Sequence, residues 1–151
     1  MVSDQLMRDT VTTLYTAAVN GTLNSAFSIT IPDGYAMELD KVDFFFSAGA
    51  VPLDNRGKYF LVDDPDEDAD PGHSAEKVIQ STEIQHDGDA GTIWSSITLD
   101  CHKTLIVKNP NFISVLDNVP GGNFNMYARI WFDFIKVSKD DAYDLLRQQQ
   151  Y

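Results

Sequence analysis

The stretch FNMYARIWFDFIKV, residues 124–137, decides how the rest of the chain is read. Phe124, Met126, Ala128, Ile130, Phe132 and Phe134 fall on one side without a break, and Asn125, Tyr127, Arg129, Trp131, Asp133, Ile135 and Val137 fall on the other. Strict alternation of this kind is the signature of an extended strand. At about 3.3 Å per residue the run spans about 45 Å, well beyond a usual strand, so it must bend or run the length of a large sandwich. Its second face carries Tyr127, Trp131, Ile135 and Val137 and therefore calls for cover other than water.

Working outward, Ser138-Lys139-Asp140-Asp141 supplies a helix start, a serine cap with an acid three residues on. Ala142, Leu145, Leu146 and Gln149 then form a narrow apolar stripe, which predicts a short C-terminal helix. Upstream, Tyr35–Ser47 shows a change of phase. Met37 and Leu39 are apolar at odd positions, Val42, Phe44 and Phe46 at even ones. One extra residue near Asp40-Lys41 returns all five to one face, so a β-bulge is expected there, with Phe45 on the opposite face.

The remaining segments also read at period two. Thr10–Val19 places Val11, Thr13, Tyr15 and Ala17 on one face, ahead of an Asn20-Gly21 turn signal. Phe27, Ile29 and Ile31 alternate with polar residues before Pro32-Asp33-Gly34, predicting a strand that ends at a tight corner. Further strands are expected over Tyr59–Val62, Lys77–Gln85, Thr92–Leu99 and Lys103–Val107, with a short apolar piece at Phe112–Leu116. Eight or nine strands with regular turn signals predict an all-β sandwich or barrel, of which the two-sheet β-sandwich is the expected form. The expected organisation is one sandwich domain over residues 1–137 and a helical tail over 138–151.

Composition sets bounds. At 151 residues, 43% of them apolar and seventeen aromatic, the chain can bury roughly 70% of its unfolded surface. The single cysteine, Cys101, permits no internal disulfide and reads as a small buried hydrophobe. The net charge is −12, with nineteen Asp against four Glu, and such a field repels phosphate. No direct contact with nucleic acid and no membrane insertion are expected, since neither a basic arm nor an apolar run of about 20 residues occurs. The N-terminus also lacks the pattern of a signal peptide.

Chemistry-bearing patterns are sparse. In the acidic loop DDPDEDADPGHS, residues 63–74, Asp64, Asp66, Asp68 and Asp70 recur at every second position. Alternating oxygen donors in a loop suit calcium, whereas the EF-hand pattern fails, because Pro71 stands where its glycine belongs and Lys77 where its last glutamate belongs. The bland reading is a solvated loop of mutually repelling charges. His73, His86 and His102 fall in no zinc-binding grouping, and no GxSxG nucleophile motif occurs, so no catalytic residue is assigned and a non-enzymatic role is expected.

With consecutive strands filling one chain, a bulged Phe-rich strand after Pro32-Asp33-Gly34, and a long strand at 124–137 running into a helical tail, the outline resembles the single jelly-roll coat proteins of icosahedral viruses. That resemblance implies the jelly-roll form of the sandwich, a subunit that assembles into a shell with copies of itself, alone or together with other coat proteins, and localisation in a virion. It carries no residue-level motif, and the chain departs from the many small coat proteins that have a basic genome-binding arm. The residues themselves supply a candidate interface, Phe45, Tyr127, Trp131, Ile135 and Val137, set opposite the inferred core. The alternative is a carbohydrate-binding or adhesion module, with or without calcium, in which exposed aromatics such as Trp94 and Trp131 stack on a sugar.

Overall fold

The computed structural model describes residues 7–16, 21–48, 55–73, 75–86, 93–117 and 124–148. The described residues form eight strands, β1 (Met7–Tyr15), β2 (Gly21–Ala26), β3 (Tyr35–Ala48), β4 (Asn55–Val62), β5 (Val78–His86), β6 (Ile93–Ile106), β7 (Asn111–Leu116) and β8 (Phe124–Lys136), followed by one helix, α1 (Lys139–Gln148). They make two four-stranded sheets, of order β1-β8-β3-β6 and β2-β7-β4-β5, in which every pairing is antiparallel. Each strand lies beside its mirror image in chain order: first with last, second with second-last, third with sixth, fourth with fifth. This is a long ribbon of strand pairs wrapped into a two-sheet sandwich, the jelly roll.

The alternation in β8 survives intact. Phe124, Met126, Ala128, Ile130 and Phe132 are fully buried, while Asn125, Tyr127, Arg129, Trp131 and Asp133 between them are half-buried. As an interior strand flanked by β1 and β3, β8 has its main-chain groups paired on both sides. The bulge stands where the change of phase places it: the register of β3 shifts between Leu39 and Lys41 against both neighbours. Met37, Leu39, Val42, Phe44 and Phe46 thereby all reach the core. Across that core Phe44 stacks on Phe112 of the other sheet, with ring centroids 6.1 Å apart, and meets Tyr59 at 5.7 Å.

One buried polar knot joins the sheets. The Tyr15 hydroxyl donates to the Ser114 carbonyl at 2.6 Å, and the Thr13 hydroxyl bonds that of Ser114. Burial pushes the Tyr15 phenol up to about 12, so it stays a neutral donor at ordinary pH.

Two expectations are corrected. Phe27–Ile31 is not a strand. Phe27, Ile29 and Ile31 do pack on the core, but the Ser28 amide donates to the Asp9 carboxylate at 2.8 Å and the Ile31 amide to the Asn109 side chain at 3.0 Å. Side chains satisfy those amides in place of a ladder. The strand in this region is Gly21–Ala26. Finally, Thr92–Leu99 and Lys103–Val107 are two parts of the single strand β6, whose step from Thr104 to Asp100 matches only Leu39 to Lys41 on β3. His102 and Lys103 take up the surplus in left-handed conformations, φ 54° and 56°. The Asp100 carboxylate accepts from the His102 amide at 2.7 Å, and Lys103 reaches Asp40 at 2.9 Å. The sequences HDGD at residues 86–89 and VPGGN at 119–123 also read as turns, and these fall largely outside the described residues.

The helix starts as its cap requires, with the Asp141 amide donating to the Ser138 hydroxyl at 3.1 Å. The turn Pro32-Asp33-Gly34 closes with Tyr35 N–H to the Pro32 carbonyl at 3.1 Å, and Gly34 sits at φ +82°, a conformation that favours glycine. The Val137 amide donates to the Gly34 carbonyl at 2.9 Å, which ties the end of β8 to this corner.

Candidate functional site

Two outward faces bracket the sandwich. On the β2-β7-β4-β5 side, alternation sends Phe60, Val62, Ile113 and Val115 outward, yet all four are buried. Their cover is the acidic loop. Its ends are joined by the Asp63 amide donating to the Lys77 carbonyl at 3.0 Å, and the Glu67 carbonyl accepts from Asn111 on β7 at 2.7 Å and from Asn24 on β2 at 3.3 Å. Lys77 pairs with Glu67, Lys58 with Asp70 at 3.5 Å, and the His73 ring lies 4.9 Å from that of Phe60. The loop is therefore a pinned cap over an apolar patch, and every strand residue of β7 is buried because both its faces are covered.

Within that cap the four aspartates are spread out. Asp64 accepts from the Asp66 amide at 3.0 Å and Asp70 from the Gly72 amide at 2.9 Å, so two carboxylates are spent on local turns. Asp66 and Asp68 are exposed. Among the described residues no three acids, histidines or cysteines gather as a metal would need. To be held by Asp64, Asp66, Asp68 and Asp70, a calcium ion would have to draw these spread carboxylates together. Calorimetry on the protein and on a D66N, D68N and D70N variant tests that rearranged form, and heat that persists in the variant rules this loop out as the site.

The cap also yields a prediction. Asn111 is 1% exposed and donates to the Glu67 carbonyl. Asn111→Ala should cost about 1–3 kcal/mol through the buried bond lost. It should also speed proteolysis within residues 63–77, and a cleavage rate equal to that of the unaltered protein would contradict the pinning.

The other face belongs to β1-β8-β3-β6. The register sets Tyr127 beside Phe45, Arg129 beside Asp43 and Trp131 beside Lys41, with Arg8 on the far side of Trp131. Phe45 and Tyr127 stack with centroids 4.7 Å apart and planes 2° from parallel. The Arg129 guanidinium lies 5.1 Å from the Phe45 ring and 5.9 Å from that of Trp131, and the Lys41 ammonium lies 4.5 Å from the Trp131 ring. These are cation–π distances. Phe45 is buried at 4% exposure beneath this arrangement, while Tyr127, Trp131, Ile135 and Val137 remain half-buried.

All five interface candidates thus share one outward face. Helix α1 meets that face at one end, where Leu145 lines a hollow with Leu105 and Val137. Lys41, Arg129 and Arg8 were missed in sequence, although Lys41 and Arg129 share the Trp131 face once the bulge is placed. Asp43 completes the group: desolvation raises its pKa, offset in part by the Thr98 hydroxyl and by the charges of Arg129 and Lys41. Stacking on a sugar needs an open ring face, and the Phe45 ring is already taken by Tyr127 and Arg129, as the Trp131 ring is by Lys41. The Trp94 side chain lies outside the described residues.

Of the histidines, His73 bonds the Ser81 hydroxyl at 2.7 Å and His102 is exposed. Cys101 is buried, and desolvation, with Asp100 and Asp40 nearby, pushes its thiol up to about 12, which makes it a packing residue and not a nucleophile. No described helix is long and apolar enough to cross a membrane.

No family model matches the sequence, and no curated protein matches it. Among solved structures the fold is similar to the tobacco streak virus coat protein, at 14% identity and TM-score 0.42, over 87% of this chain and 90% of that one. It is similar to the top component of cowpea mosaic virus, a naturally occurring empty particle, at 9% identity and TM-score 0.46, over 91% and 92% of the two chains. It is also similar to desmodium yellow mottle tymovirus, at 8% identity and TM-score 0.36, over 92% and 94%. What assigns the fold is the strand order itself: β1-β8-β3-β6 against β2-β7-β4-β5 makes this chain a two-sheet jelly roll, the architecture in which it resembles viral coat proteins.

Proposed function

We propose that the chain is a structural subunit of a closed shell, a viral coat protein located in the virion that assembles with copies of itself and with other coat proteins. The observation that carries this reading is the outer face of β1-β8-β3-β6. Tyr127, Trp131, Ile135 and Val137 lie there half-buried around a buried Phe45; Tyr127 stacks on Phe45, Lys41 lies over Trp131, and α1 reaches only the Val137 end. A large apolar patch rimmed by polar groups marks a contact surface. The net charge of −12 supports a domain that leaves the genome to another component.

Light scattering after size-exclusion chromatography, with electron microscopy of the same fractions, tests it. Large closed particles or defined oligomers are expected. A species that stays monomeric at high concentration and at every salt concentration disposes of the proposal.

A further inference from the structure

The outward face of β1-β8-β3-β6 is ordered in rows across its four strands. The register sets Arg8, Trp131, Lys41 and Asp100 in one row, Thr10, Arg129, Asp43 and Thr98 in the next, and Thr12, Tyr127, Phe45 and Ser96 in the third. Cations and acids balance over these rows, but the cations Arg8 and Arg129 stand on β1 and β8 and the acids Asp43 and Asp100 on β3 and β6. About the line between β8 and β3, each row is therefore complementary to its own reverse. Arg8 reverses onto Asp100, Trp131 onto Lys41, and Arg129 onto Asp43. Tyr127 reverses onto Phe45, and the hydroxyls of Thr10 and Thr12 onto those of Thr98 and Ser96. Among the described residues Arg8, Lys41, Asp43 and Arg129 make no salt bridge.

We propose that this face pairs with the same face of a second copy, about a two-fold axis that runs along the strands between β8 and β3. The inference rests on the shell-subunit reading and names the contact through which two subunits join. Rotation about that axis lays β1 of one copy over β6 of the other and β8 over β3, so each row meets its own reverse. Sheets packed face to face keep their strands within about 30° of one another, which this axis satisfies. Every contact in such an interface is made twice, so each dimer gains two Arg129–Asp43 and two Arg8–Asp100 pairs. The match ends one row further on, where Asp133 and Glu38 are both acids, with Lys103 4.0 Å from Glu38 to offset them. Helix α1 stands beyond that row, over Leu105 and Val137. At about 0.15 M salt the screening length is about 8 Å, which mutes the repulsion between whole molecules of net charge −12 and leaves the close pairs in force.

Charge reversal in separate chains tests it. Arg129→Asp in one chain and Asp43→Arg in another each set like charges across the interface twice. At about 0.15 M salt each alone should associate at least tenfold more weakly than the unaltered protein by light scattering. A one-to-one mixture should regain association, because the new acid of one chain faces the new cation of the other, and Asp43 of the first faces Arg129 of the second. The mixture separates docking from folding, since the like charges on neighbouring strands within each chain stay as they were. Circular dichroism and urea titration establish that each variant folds. Should either not fold, Arg8→Glu and Asp100→Lys, at exposed positions on the two outer strands, take their places. Variants that associate as readily as the unaltered protein, or a mixture no better than its parts, overturn this contact while the shell reading stands. An unaltered protein that never associates overturns both.

Discussion

Phe44→Ala should lower folding stability by about 3–5 kcal/mol, read as a shift of the urea midpoint at constant slope. Phe44 is fully buried, comes from β3 of one sheet, and packs its ring on Tyr59 and Phe112 of the other. Truncation removes the transfer energy of the ring and leaves a cavity between two sheets that the ladders hold apart, so collapse cannot fill it. Domains of this size are stable by about 5–15 kcal/mol in all, so the loss takes a large share. A loss below about 1 kcal/mol would mean that the sheets are not packed through this residue.

The second large effect is alkaline. Tyr15 and Cys101 are each raised to about 12, from 10.0 and 9.0, chiefly by burial, and Tyr59 is raised well above 10.0 by the same cause. A folded pKa above the unfolded one means that the unfolded chain releases its proton first. The stability from neutral Cys101 is therefore complete below pH 9 and that from the tyrosines below pH 10, and both drain away as pH climbs toward 12. At about 1.4 kcal/mol per pH unit, Tyr15 alone contributes roughly 3 kcal/mol to this decline and Cys101 roughly 4. Urea midpoints taken from pH 7 to 11 should fall steeply beyond pH 9. Cys101→Ala should delay the onset by about one pH unit, because only the tyrosines then remain. A flat profile to pH 11 contradicts the burial of all three groups.

How much of this was legible before the coordinates depends on where the physics is local. The β8 alternation and the β3 change of phase were readable because a half-buried strand writes its facing into every second residue, and one inserted residue shows as a slip. The interface candidates followed from the same rule, since Phe45 and Trp131 are displaced from the core by parity alone. Phe27–Ile31 misled because apolar alternation reports burial and not pairing; Asp9 and Asn109, which take its amides, lie far away in sequence. The join within β6 was hidden because two left-handed residues, His102 and Lys103, carry none of the usual glycine signal. The role of the acidic loop was hidden for a different reason. Its charges say solvent, but what pins it is the Glu67 main-chain carbonyl, an atom common to all residues and so invisible in a sequence.

The mirror-image pairing of the strands has a consequence for synthesis. The partner of β1 is β8, and contacts such as Arg129 to Thr10 join positions 119 residues apart. During translation β1 and β3 wait with bare edges until the stretch that belongs between them has left the ribosome. Such long closures are slow, and unpaired edges invite strangers. The nascent chain is therefore most exposed to wrong partners before its central strand arrives. Its surplus of negative charge then serves as protection, holding unfinished copies apart until each has closed upon itself.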